Sequence, residues 1–135
     1  MMTPALRDHL AQELRVRVGH LVEVLPHGVD GSFAPPVLVI GQPDVEFRAW
    51  GCEDLVTIGL AVVVRHHPDG PAATQRALEE LWPQVAAQVK SLCHEDPSLG
   101  GLVTLAELKT AEFGDFTVQG QSFPAQQIAL NVFVS

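Results

Sequence analysis

PAATQRALEELWPQVAAQVKSLCHEDPSLGGL, residues Pro71 to Leu102, reads as one long helix closed by a glycine turn. The rest of the chain is organised around it. At about 100° per residue, Leu78, Leu81, Trp82, Val85, Val89, Leu92 and Cys93 fall within one broad arc with Ala77. Arg76, Glu79, Glu80, Ala87 and Lys90 fall opposite. An apolar stripe of that width must be buried against another element. Arg76 and Glu80 add an i, i+4 ion pair on the wet side. Pro83 is the irregular residue, because it removes a helical hydrogen bond and crowds the Glu79 carbonyl, at a cost of roughly 3 kcal/mol. Its place on the polar side predicts one bent helix rather than two.

Immediately upstream, Leu55 to Val64 is apolar on both faces except at Thr57, with Gly59 in its middle. Such a run suits a strand covered on both sides, by two helices or by a helix and a neighbouring subunit. Downstream, Val103 to Glu112 alternates imperfectly, Gly114-Asp115 signals a turn, and Thr117 to Gln121 is a further short strand. Phe123-Pro124 interrupts the chain before Ala125 to Val134. In that last run Ile128, Leu130, Val132 and Val134 share one face, and Gln127, Ala129, Asn131 and Phe133 share the other. This is the clearest half-buried strand in the chain.

The N-terminal half supplies a helix and three more strands. Thr3 and Pro4 open the helix, Leu6, Leu10, Leu14 and Val18 form its apolar stripe, and Gly19 stops it. Leu21 to Leu25 and Val37 to Ile40 read as strands, with Pro26 to Pro36 between them as an ordered loop or an extended arm. Phe33 is the one large apolar side chain of that segment and a candidate partner contact. Val45 to Trp50 alternates as a strand, with Glu46, Arg48 and Trp50 on one face and Val45, Phe47 and Ala49 on the other. The expected fold is α+β in a single domain, residues 1–135, with a possible arm at 26–36. A mainly antiparallel sheet of about five to six strands packs with the N-terminal helix and one long helix at 71–93.

Composition excludes several function classes. The net charge is −8, and the only lysines are Lys90 and Lys109. Six arginines are spread singly, so no clustered basic surface is available to grip a duplex. The longest uncharged apolar run is about half a membrane span, so no bilayer crossing is expected. The first residues lack the pattern of a secretory signal. Two lone cysteines, Cys52 and Cys93, suit a reduced compartment and have no metal spacing.

Chemical constellations are sparse. His66-His67 with Asp69 and His94-Glu95-Asp96 are the two groups rich in potential ligands. They flank the long helix at opposite ends, so about 23 helical residues at 1.5 Å hold them about 35 Å apart. Cys52 lacks a thiolate-stabilising setting, and Cys93 belongs to the buried arc. None of Ser32, Ser91, Ser98, Ser122 and Ser135 lies in a Gly-x-Ser-x-Gly elbow. The reading is a chain with no catalytic residue, no metal and no cofactor. Trp82 reads as core. Trp50, beside Arg48, suits either a protein interface or a sheet end packed under the first helix.

The apolar strand running into one long helix, the turn Asp96-Pro97-Ser98-Leu99-Gly100-Gly101-Leu102-Val103 and the order of the remaining elements are similar to a known group. They resemble the tail terminator (tail-completion, minor tail) proteins of long-tailed bacteriophages. The resemblance covers most of the chain in element order, and the helix-to-turn segment is its most specific part. It implies a structural virion protein, assembled in the host cytoplasm, that forms a ring, typically a hexamer, on the head-proximal end of the tail tube. Such a ring stops tube polymerisation and offers a surface to the head–neck connector. DNA passes through its lumen without specific binding. The implied partners are therefore further copies of the chain, the tail tube protein and the connector protein.

Candidate interface residues are Phe33, Phe47, Arg48 and Trp50. A negative lumen would let the genome slide, and candidate acidic lumen or tube-facing residues are Asp44, Glu46, Glu53, Asp54 and Asp115. A head–tail connector of the same virion is the nearest alternative. A small cytoplasmic enzyme or metal-binding domain using His66, His67 and Asp69 is the alternative from another class.

Overall fold

In the computed structural model, which describes residues 3–28 and 33–134, the long apolar strand lies at the centre of a six-stranded sheet. In chain order the elements are α1 (Thr3–Val18), β1 (Glu23–Leu25), β2 (Val37–Ile40), β3 (Asp44–Glu46), β4 (Asp54–Val63), α2 (Pro71–Glu95), β5 (Leu105–Val118) and β6 (Gln121–Val134). The strands follow the order β1-β2-β4-β6-β5, and β3 pairs with the part of β4 that β2 leaves free. Only β1 and β2 run parallel. The fold is α+β with a mostly antiparallel sheet, as the periodicities predict.

Both helices lie on one face of the sheet. Leu6, Leu10, Leu14 and Val18 of α1 join Leu78, Val85, Val89 and Leu92 of α2 against Val56, Ile58, Leu60 and Val62 of β4 and Ile128, Leu130 and Val132 of β6. Burial of these side chains stabilises the fold by about 1.5–3 kcal/mol each. Arg17 pairs with Glu95, joining the ends of the two helices. Helix α2 runs unbroken through Pro83, which is exposed.

The helix-closing turn is itself a built unit. Asp96 accepts a hydrogen bond from the Gly100 amide at 2.9 Å, and Ser98 Oγ accepts one from the Gly101 amide at 3.2 Å. Leu99 adopts a φ of 46° with its side chain fully buried in the core. The apolar anchor thus holds a left-handed backbone that glycines at 100 and 101 continue, with φ of 69° and 83°.

The C-terminal half differs from the sequence reading. Gly114-Asp115 is not a turn, because β5 continues through it and pairs with Ala125 and Pro124 of β6. The reversal comes at Gln119 and Gly120, both with positive φ, which is the two-residue hairpin geometry matching strand twist. Phe123-Pro124 likewise lies within β6. Strand β3 ends at Glu46, so Phe47 to Trp50 do not alternate along a strand. Beyond the pair Glu46↔Leu55, β4 has only Asp54 left to offer, and the chain turns away.

Candidate functional site

The sheet face away from the helices is where cover runs short. At one end it carries a second apolar cluster, in which Val37, Val39, Ala61, Val63 and Ala125 are capped by Leu25, Phe33, Phe116 and Phe123. The Phe33 ring centroid lies 5.0 Å from that of Phe123, edge-on, and 6.1 Å from that of Phe116. Phe33 is therefore half-buried within its own chain, where it closes this cluster rather than standing in solvent. Residues 29–32 of the expected arm lie outside the described residues.

At the other end the same face presents Leu55, Thr57 and Gly59 of β4 beside Phe133, Asn131 and Ala129 of β6. Thr57 Oγ1 donates to Asn131 Oδ1 at 3.1 Å, so the polar pair in the middle of this surface is satisfied across the strands. Asn131 is buried, and Leu55, Thr57, Gly59, Ala129 and Phe133 are half-buried. Strand β4 thus has full cover on the helix face and partial cover on the other.

Beside this half-buried surface stands the segment between β3 and β4. Residues 47–54 form an arch whose concave side is lined by its own side chains. The Cys52 amide donates to the Ala49 carbonyl, closing the turn at its tip, and the Arg48 amide donates to Asp54 Oδ1 at 3.0 Å, tying its base. The Arg48 guanidinium lies 5.5 Å from the centre of the Phe133 ring, which anchors the arch onto the sheet by a cation–π contact. Phe47 and Trp50 are left outward, 79% and 103% exposed. Two large aromatic side chains thus stand in water on one braced loop.

The acidic candidates divide into two groups. Asp44, Glu46, Glu53 and Asp54 surround the aromatic arch, whereas Asp115 lies near the hairpin end of β5, opposite Pro124. The length of β4, ten residues at about 3.3 Å each, separates them. One acidic patch made of all five does not exist.

The histidine-rich segments are taken up by local hydrogen bonds. His66 Nε2 donates to the Ser122 carbonyl at 2.9 Å, and His67 Nδ1 accepts from the Asp69 amide at 3.0 Å. At the far end of α2, Asp96 faces His9 at 3.4 Å. Among the described residues no group of three or more His, Cys, Asp or Glu side chains is disposed to hold a metal ion. Burial raises the Cys93 thiol above its ordinary range, while Cys52 is exposed in the arch.

One feature was not singled out in the sequence. Between α2 and β5 runs a groove of about 460 Å3, with Trp82, Ala86, Ala106 and Leu108 in its lining and both lysines, Lys90 and Lys109, among its residues. Trp82 packs against the core and also lines this groove, so its place on the apolar arc told half of its surroundings. The lysines stand far apart in sequence, and only the packing of α2 on β5 brings them together.

Comparison of the chain with models of known protein families gives no match, and comparison with curated proteins gives none either.

Proposed function

We propose that this chain is a non-catalytic assembly subunit of the phage tail terminator type. It forms a ring on the head-proximal end of a tail tube, ends tube polymerisation and presents a surface to the head–neck connector. The observation that carries the reading is the braced arch with Phe47 and Trp50 exposed beside the half-buried end of the sheet face away from the helices. Groups of this kind are stable in water mainly when a partner covers them. The Asp96–Val103 turn, on which the resemblance rests, is in this reading a folding device: the Asp96 and Ser98 side chains accept hydrogen bonds from its own backbone amides, and Leu99 is buried in the core.

A net charge of −8 suits a ring through which DNA slides without sticking. Asp115, apart from the arch, is the acidic candidate that takes the lumen- or tube-facing role. The test is particle mass by light scattering, for the protein alone and with tail tubes of the same virion. Ring-sized assemblies on tubes support the reading. A chain that stays monomeric and leaves tube growth unchanged contradicts it.

A further inference from the structure

We infer that the Phe47–Trp50 arch of one subunit seats in the α2/β5 groove of the next, giving the head-to-tail contact that closes the ring. This rests on the ring reading above and specifies which surfaces meet. A ring needs a heterologous contact, made by two different patches on opposite sides of the subunit. The sheet supplies them: at this end its strands run β3-β4-β6-β5, the arch follows β3, and the groove lies along β5 at the other edge.

Size and charge agree. The arch carries two unburied aromatics, and the groove, at about 460 Å3, has the volume of an ordinary binding pocket, about 300–1,000 Å3 being the usual range. Around the arch stand Asp44, Glu46, Glu53 and Asp54 against Arg48, four acidic groups and one basic. One carboxylate oxygen of Glu53 is enclosed within the chain without a hydrogen-bond partner among the described residues, so the outward charge rests chiefly on the exposed Asp44 and Glu46. In an acidic chain, both lysines belong to the groove, with Glu107 as their acidic neighbour there. An acidic arch with two exposed aromatics is therefore matched to the one concentration of lysine the chain possesses. Complementary charge of this kind fixes the register of an aromatic anchor.

Carbodiimide coupling tests the contact directly, because it activates carboxylates that an adjacent amine then captures as an amide with loss of the urea, and the chain has two lysines. Rings would be assembled on tail tubes from a mixture of isotopically light and heavy subunits, coupled, digested and examined by mass spectrometry. The expected result is mixed-isotope links joining Lys90 or Lys109 to Glu53, Asp54 or their neighbours Asp44 and Glu46. Trp50→Ala should raise the concentration needed for ring formation at least about tenfold and remove these links, with the melting temperature of the subunit unchanged. If rings form and the lysines couple elsewhere, or if Trp50→Ala rings form normally, the contact is wrong and the ring reading stands. Coupling of the lysines or the arch acids to the tube protein instead has the same meaning. If wild-type subunits form no rings even on tubes, the functional reading itself fails.

Discussion

The imidazole of His9 occupies the place where a side chain on Gly100 would stand. A Cβ at Gly100 would lie 2.8 Å from His9 Cε1 and 3.2 Å from both ring nitrogens, and Gly100 has a φ of +69°. Helix α1 and the α2-closing turn are therefore fitted to each other through a missing side chain. Gly100→Ala should destabilise by about 2–4 kcal/mol, from left-handed backbone strain and steric overlap together. The double variant with His9→Ala should lose less than the sum of the two single changes. Urea unfolding of the three variants measures both quantities.

Leu99 carries the turn's link to the core. Leu99→Ala should cost about 2–5 kcal/mol, the range for deleting a fully buried leucine side chain. A loss under 1 kcal/mol in the same unfolding experiment would mean that the turn holds without its anchor.

Pro83 predicts the opposite sign. It is exposed in the interior of an unbroken helix, where alanine restores a hydrogen bond and relieves crowding at Glu79. The more flexible unfolded chain offsets part of the gain. Pro83→Ala should raise stability by about 1–2 kcal/mol, read as a higher urea midpoint.

The two thiols should separate in reactivity and in pH dependence. Cys52 is exposed and should react with a maleimide at once, whereas Cys93 should react only as the protein opens. Burial favours the neutral Cys93 thiol, so its proton is held more tightly in the folded than in the unfolded state. Stability from this group is complete below the unfolded thiol value, about 8.5, and declines as pH rises beyond it. Cys93→Ala should flatten that alkaline decline in thermal unfolding.

Much of the fold was legible because burial and periodicity coincide. The stripes Leu6-Leu10-Leu14-Val18 and Ile128-Leu130-Val132 are buried as their spacing demands. The missed turn has a physical cause: Gly114-Asp115 looks like a reversal, but β6 offers a continuous partner past it, and pairing overrides local preference. Phe33 reads as a partner contact in the sequence because the Phe116 and Phe123 rings that receive it come from a distant hairpin. The candidate surface was legible in part. Arg48 and Trp50 stood out by type, but β3 stops before them, so their support by Asp54 and Phe133 emerges only in three dimensions. The α2/β5 groove left no trace in local sequence, since Lys90 and Lys109 meet through packing alone.

Phe47→Ala and Trp50→Ala separate folding from assembly. Both side chains are largely in water, so each change should alter subunit stability by no more than about 0.5 kcal/mol. Far-ultraviolet circular dichroism on heating should therefore be nearly unchanged. Any shift well beyond that would mean the arch holds up its own subunit rather than receiving a partner.

Electron microscopy of tail tubes polymerised with and without the protein tests the central claim most directly. The account predicts a ring on one end of each tube, the head-proximal end, and tubes that cease to lengthen once capped. Bare tube ends and an unchanged length distribution, with the protein remaining monomeric, would contradict it.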